Sequence, residues 1–258
     1  MRAEGFDYQH NISAGYYDRI HSRGCGVQSA WHQQKFRYVA SRLPLSGSTL
    51  VDVGCGPGTF SMYVPAIYEY TGLDVSSPQI GYANRMYRRP GVQFRVMKHD
   101  DLEIPQASID VVTAIELIEH LTSAQCDALL SNSWHILRPG GHLMMTTPNY
   151  RSLWPFLEFV VNRVGEVSYQ DQHISRFTLS ILRDRLTRSG FSEARVRSFQ
   201  FIAPFFATVS WKASVAVGNL ERRLRGLPGG FLLFACAEKP RNHGILNSQH
   251  AAVGQAHK

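Results

Sequence analysis

Short apolar runs alternate with amphipathic stretches along most of this chain. Thr49 to Val53, Tyr70 to Val75, Val92 to Met97, Ile109 to Ile115, His142 to Thr147, Ala194 to Phe199 and Gly230 to Glu238 read as strands. The fourth is nearly all apolar, as befits a strand buried on both faces. Between them, residues from about Thr59, Ser76 to Arg88, Ser123 to Leu137 and Thr178 to Ser189 read as helices. Ser76 or Ser77 supplies an N-cap with Pro78 in the first turn, Arg138-Pro139-Gly140-Gly141 stops the third helix, and Gly190 ends the fourth. Alternation of this kind predicts one α/β domain: a seven-stranded parallel sheet with helices on both faces.

The predicted domain spans residues 48–238. Residues 1–47 form a helical lead-in, with a helix over Gln28 to Leu43 broken at Pro44 to Ser48. Two insertions interrupt the alternation, at about 150–177 and 200–229. Residues 239–258 are polar and without periodicity, and are expected to be a disordered tail.

Composition narrows the class. Apolar residues make up 44% and charged residues 18%, which suits a globular enzyme and not a disordered chain. Cys25, Cys55, Cys126 and Cys236 are scattered and form no CxxC pair, so neither a disulfide framework nor a thiolate zinc site is expected. The opening MRAEGFDYQHN lacks the apolar core of a signal peptide, and no apolar run reaches the roughly 18 residues of a membrane span, so a cytoplasmic location is expected. The net charge of +7 suits an anionic partner or simply a soluble basic surface. Arg85, Arg88 and Arg89, and Arg183, Arg185, Arg188, Arg195 and Arg197, fall mostly on helix surfaces with no RNA-binding module beside them, so nucleic acid is the less favoured partner.

The chemistry starts at Val51-Asp52-Val53-Gly54-Cys55-Gly56-Pro57-Gly58. Here a strand runs straight into glycines at alternate positions, which let the chain turn sharply and approach a ligand closely. A helix N-terminus beyond the turn would add free N–H groups. Turns of this form also serve NAD-binding folds. Asp52 sets a carboxylate beside the turn, unfavourable for a pyrophosphate and suited to an ammonium group. Asp74 closes the second strand, where an acid can bind ribose hydroxyls. Asp100 follows the third, where a carboxylate can accept from an exocyclic amine.

VDVGCGPGTFS, GLDVS, HDDLEIP, IDVVTAIELIEHL and LRPGGHLMMTTPN, in this order, resemble the successive motifs of class I S-adenosylmethionine-dependent methyltransferases. The resemblance covers about residues 48–149 and continues more weakly to 238, and it implies an antiparallel final strand, which makes the expected seven-stranded sheet mostly parallel. It also implies that Asp52 and the turn residues Gly54, Cys55, Gly56 and Gly58 hold the methionine part of the cofactor, Asp74 the ribose, and Asp100, Asp101 and Leu102 the adenine. Val75 and Ile115, at neighbouring strand ends, complete the cofactor-binding set.

Acceptor chemistry then lies past the fourth strand and in the insertions. Glu116, Glu119 and His120 are spaced i, i+3 and i+4, on one face if the segment is helical. With His173 they form a candidate set for a divalent metal, which could lower the pKa of a diol or catechol hydroxyl. This set resembles that of the polyprenyl-quinone O-methyltransferases, and that of the small-RNA 3′-terminal 2′-O-methyltransferases, where a downstream histidine joins in. The chain departs from the RNA family around His173, keeping only fragments of its Arg/His/Asp/His run. Glu-His-Leu here also fits a metal-free enzyme in which His120 is a base or lines the pocket.

The expected reaction is O-methylation of a small-molecule or lipidic acceptor. A metal-dependent RNA ribose 2′-O-methyltransferase and a non-catalytic cofactor-binding protein are the alternatives. Leu153 to Val161 and Phe201 to Ala207 could form an apolar lid, and the basic end at Glu221 to Arg225 could meet lipid head groups, giving peripheral contact with the inner membrane surface. Helix packing or a homodimer contact is the plainer use of these segments. His21, Trp31 and His32 of the lead-in either close over the cofactor or only pack their helix.

Overall fold

A computed structural model describes residues 12–98, 102–164, 173–224, 226 and 228–241. The seven strands are β1 (Thr49–Val53), β2 (Glu69–Asp74), β3 (Val92–Val96), β4 (Ile109–Ile115), β5 (Leu137–Pro148), β6 (Ser192–Phe199) and β7 (Leu232–Glu238). They form one sheet in the order β3-β2-β1-β4-β5-β7-β6, parallel except for β7, which runs antiparallel between β5 and β6. The predicted seven-stranded fold is the fold found.

The helices are α1 (Tyr16–Ser22), α2 (Gly26–Ala40), α3 (Ser77–Tyr87), α4 (Ser123–Ile136), α5 (Trp154–Val164), α6 (Leu179–Arg188) and α7 (Trp211–Arg223). Two apolar clusters cover the two sheet faces. Leu129, Leu130 and Leu186 pack beside Val112 and Leu143 in one, and Tyr38, Phe60 and Ile80 beside Leu50 and Tyr70 in the other. Residues buried on both faces explain the apolar run of β4, and its two polar side chains are both hydrogen-bonded. Asp110 accepts from the Ser48 and Thr49 N–H groups, and Thr113 donates to Asp52.

The structure departs from the sequence reading in three places. After Gly58 there is no α-helix, only one 3₁₀ turn over Thr59–Met62. Aromatic and β-branched residues fill this segment and Pro65 follows closely, so a longer helix has little to propagate it. The helix-terminus N–H groups expected there are therefore those of a short turn. Secondly, Arg138-Pro139-Gly140-Gly141 lies inside β5, which begins at Leu137 directly from α4. Its first residue pairs with Ile109 across a bulge. Thirdly, Lys239 is no part of a free tail: it is buried, and its N–H donates to the Gly141 carbonyl. Residues 242–258 of the expected tail lie outside the described residues.

The lead-in is fastened to the domain by buried polar groups. Asp18 of α1 accepts from the hydroxyls of Thr59 (2.7 Å), Tyr82 (2.7 Å) and Tyr87. Gln79 of α3 accepts from the Gly15 N–H at 3.0 Å. The second insertion folds back as a 3₁₀ segment, Ala203–Thr208, followed by α7. Both pack on α2, where Gln34 donates to Ser214. Glu221 of α7 accepts from three successive backbone N–H groups, of Phe201, Ile202 and Ala203, at 2.9–3.0 Å.

Candidate functional site

The glycine turn sits at the C-terminal ends of β1 and β2, where open parallel sheets bind ligands. Gly54, Gly56 and Gly58 all take positive φ, at 73°, 52° and 81°. A Cβ on Gly54 or Gly58 would strike Leu117, or Phe94 and Ala83, whereas one on Gly56 would meet open space. Gly56 is thus the glycine that leaves a cradle. Asp74 closes its side: the carboxylate accepts from the N–H groups of Gly56 and Ser76, both at 2.8 Å, and stays half-buried. Burial raises its pKa.

Asp52 points elsewhere. It is 2% exposed and its two oxygens accept from Thr113 (2.6 Å) and Tyr70 (2.7 Å). Burial pushes it up to about 6. As placed, Asp52 ties β1 to its neighbours on both sides, and its carboxylate does not open onto the cradle. The Cys55 thiol is likewise buried, 2.9 Å from where a Cβ on Gly72 would lie, so that residue offers its backbone only. Leu102 is buried beneath the ends of the strands, Val75 is exposed at the rim, and Ile115 is half-buried. Asp100 and Asp101 lie outside the described residues.

The residues expected to face the acceptor are gathered differently from the helical face predicted. Glu116 takes a left-handed backbone, φ 50°, and only Ile118–His120 is helical, as one 3₁₀ turn. Glu116 pairs with Lys35 of α2, a buried side chain that sequence reading missed. Glu119, His120 and His173 do come together, each offering a ligand atom within 4.8 Å of the others. The rings of His120 and His173 are 5.1 Å apart. The 173–177 segment is held there by backbone bonds: Ser175 N–H donates to the Glu119 carbonyl, and Tyr150 N–H to that of Phe177.

Glu119 is 1% exposed and its Oε2 has no hydrogen-bond partner among the described residues. Burial first, and the neighbouring Glu116 carboxylate second, push it up to about 8. On the lead-in side, His32 is held well below the usual imidazole range by burial, so it is neutral there, and Lys35 lies 3.4 Å from its Nδ1. His21 bonds Tyr63 at 2.6 Å.

An aromatic wall runs from the second insertion into this group. Phe201 and Phe205 flank Phe231, followed by Trp31 of α2, Trp154 of α5 and then His173, at centroid spacings of 5.6–6.2 Å. Glu158, one turn beyond Trp154, bonds His173. Sequence reading did not single out Glu158 either, although a lone acid in an otherwise apolar LWPFLEFVV run is a signal.

A family model described as a methyltransferase domain matches residues 30–194. The chain is 33% identical over 119 residues to a ubiquinone biosynthesis O-methyltransferase of Xanthomonas euvesicatoria pv. vesicatoria (strain 85-10), covering 45% of this chain and 49% of that protein. It is 30% identical over 116 residues to a fatty-acid O-methyltransferase of Mycolicibacterium smegmatis, covering 44% and 42%. The chain spans about half the length of the curated relatives it matches. Its fold is similar to that of a SAM-dependent methyltransferase from Thermotoga maritima, with a TM-score of 0.64 at 18% identity over 90% of this chain and 97% of that one. Since the family model runs over well more than half of the sequence, the chain belongs to the methyltransferase-domain family, the class I enzymes whose methyl donor is S-adenosylmethionine.

Proposed function

We propose that this protein transfers a methyl group from S-adenosylmethionine to a hydroxyl oxygen of a small-molecule or lipidic acceptor. The observation that carries the first half is the cradle at Gly56, left open beside the Asp74 carboxylate. The bound cofactor would supply a methyl group on a sulfonium, already activated for in-line displacement. Asp74 would hold its ribose hydroxyls, the Gly54 to Gly58 backbone its methionine part, and Leu102, Val75 and Ile115 would line the ring. Asp100 and Asp101 remain proposed adenine partners on sequence grounds. The ammonium group would have to be met by backbone carbonyls of the turn rather than by Asp52, whose oxygens are engaged.

What the chain itself must do is position the acceptor and take its proton. His120 and His173 offer imidazole nitrogens for that proton beside the end of β4, with Glu119 next to them. The aromatic wall supports an apolar acceptor, as do the exposed Leu153, just before α5, and Phe156 and Phe159 on its outer face. Peripheral membrane contact belongs to this same reading. Among the described residues no helix is long and apolar enough to cross a membrane. The names of the two relatives, one acting in ubiquinone synthesis and one on fatty acids, point the same way.

A metal-assisted version of this chemistry is favoured by one observation: a buried Glu119 oxygen with no hydrogen-bond partner among the described residues, in a carboxylate that lies close to two imidazoles. Glu119, His120 and His173 fit a divalent ion, which would lower the pKa of the acceptor hydroxyl. Glu116 is not part of this set as placed, being paired with Lys35.

Calorimetry with S-adenosylmethionine, with and without Mn²⁺, tests the proposal. Binding lost in Asp74→Ala and turnover on hydroxylated lipids or catechols are the expected results. Stoichiometric metal that disappears in Glu119→Ala would add the metal. Metal dependence together with RNA retained at low salt would move the acceptor to a ribose hydroxyl. Cofactor binding without turnover on any acceptor would leave a binding protein.

A further inference from the structure

The geometry points to Glu158 as a positioning residue that fixes His173 in one tautomer, with Nδ1 protonated and Nε2 presented to the Glu119–His120 group. This inference rests on the reading of that group as the acceptor-facing site. Four observations carry it. Glu158 Oε1 is bonded to Nδ1 of His173, and both side chains are largely buried, at 13% and 6% exposure. A carboxylate can only accept here, so Nδ1 donates and carries the proton. Tyr150 Oη donates to the same carboxylate, 3.2 Å from Oε1 and 3.3 Å from Oε2, and so holds the acceptor in place. Trp154 lies one helical turn before Glu158 on the same face of α5, its ring 6.2 Å from that of His173, so α5 grips the imidazole from two points.

The burial of Glu158 needs a reason. The other face of α5 is apolar and exposed through Phe156 and Phe159, while this single acid of the helix is turned inward. Burying a carboxylate is costly unless it is paired, and His173 with Tyr150 supplies the pairing. A carboxylate–imidazole pair of this form orients a histidine for either of its uses. It makes Nε2 the unprotonated nitrogen, the one that can ligate a metal or take an acceptor proton, and it stabilises the imidazolium formed in the second case. The Glu158 pairing thereby sets which nitrogen of His173 serves the site.

The test uses the full chain at one fixed pH. Nitrogen-15 NMR of the imidazoles reads the His173 tautomer, and Co²⁺ titration reads the group's capacity to bind a metal. Nδ1–H is expected for His173 in the wild type. Glu158→Leu is expected to convert it to Nε2–H and to weaken Co²⁺ binding by roughly 10- to 100-fold. Glu158→Gln, whose carbonyl can still accept, is expected to keep most of the Nδ1–H form, a rescue that mere packing would not distinguish from Leu. A wild-type Nε2–H ring, or a tautomer unmoved in Glu158→Leu, overturns the inference. A tautomer that moves with Glu158 in a protein that binds no Co²⁺ supports it while removing the metal from the proposed function.

Discussion

At the scale of single residues, the glycine turn separates two demands that the sequence presents as one. Gly56 and Gly58 both need a left-handed backbone, and alanine there costs roughly 1–2 kcal/mol. They differ in what a side chain would meet. At Gly58 a methyl would lie 2.6 Å from Phe94 and 2.9 Å from Ala83, adding roughly 1–3 kcal/mol of overpacking. At Gly56 it would enter the empty cradle. Gly56→Ala is therefore expected to lose only that backbone cost in thermal unfolding but roughly tenfold or more in cofactor affinity. Gly58→Ala is expected to show the larger loss of melting temperature. Equal effects of both on both measurements would place the cofactor elsewhere. The turn and Asp74 were legible because they are local: a strand, its glycines and the next strand's last residue. Lys35 and Glu158 were not, because their partners are set by how distant helices pack. The direction of Asp52 was also hidden, since Tyr70 and Thr113 reach it from two other strands.

Among the elements, the second insertion depends on one side chain. Three N–H groups at the start of the Ala203–Thr208 segment would be left without acceptors if Glu221 were absent, since the carboxylate satisfies all three. Glu221→Ala is expected to cost about 2 kcal/mol or more, read as a shifted denaturant midpoint. Protease cuts confined to 200–224 would mark the same loss locally. A midpoint within error of wild type would mean that water replaces the carboxylate. Periodicity placed all seven strands, but it could not place this cap, whose two ends are 18 to 20 residues apart. It also misjudged β5, because a Pro-Gly-Gly run ordinarily stops a helix and here lies between the Leu137 and His142 pairings with β4, bonded to Lys239 just past β7. Left-handed Glu116 defeated the one-face argument for the same kind of reason. A residue of unusual φ gave to Lys35 a side chain that helical spacing had placed on one face with Glu119 and His120.

For the molecule as a whole, a buried acid spanning three strands makes stability depend on pH. Asp52 titrates at about 6 when folded against 3.8 unfolded, with burial as the main cause. Its folded value is raised, so between these two values the native state holds more protons than the unfolded chain. Stability therefore falls as pH rises through that window. The span corresponds to about 3 kcal/mol at most. Denaturant unfolding of the wild type from pH 4 to 6.5 should show this component added to that of Glu119, whose buried carboxyl is raised in the same direction, and Asp52→Asn should lessen the slope. A slope unchanged in Asp52→Asn would assign it to another group.

The last strand gives the sheet a further property during synthesis. On the ribosome, β1 to β5 can leave the exit tunnel and pair in their parallel order, yet β5 then shows an open edge and β6 has no neighbour to join. Only when β7 emerges do both gain a partner, since it fits between them. The nascent chain must thus carry one exposed, apolar β5 edge through the translation of both insertions, and a stalled or shortened message that omits β7 would release a protein built to stick to its neighbours.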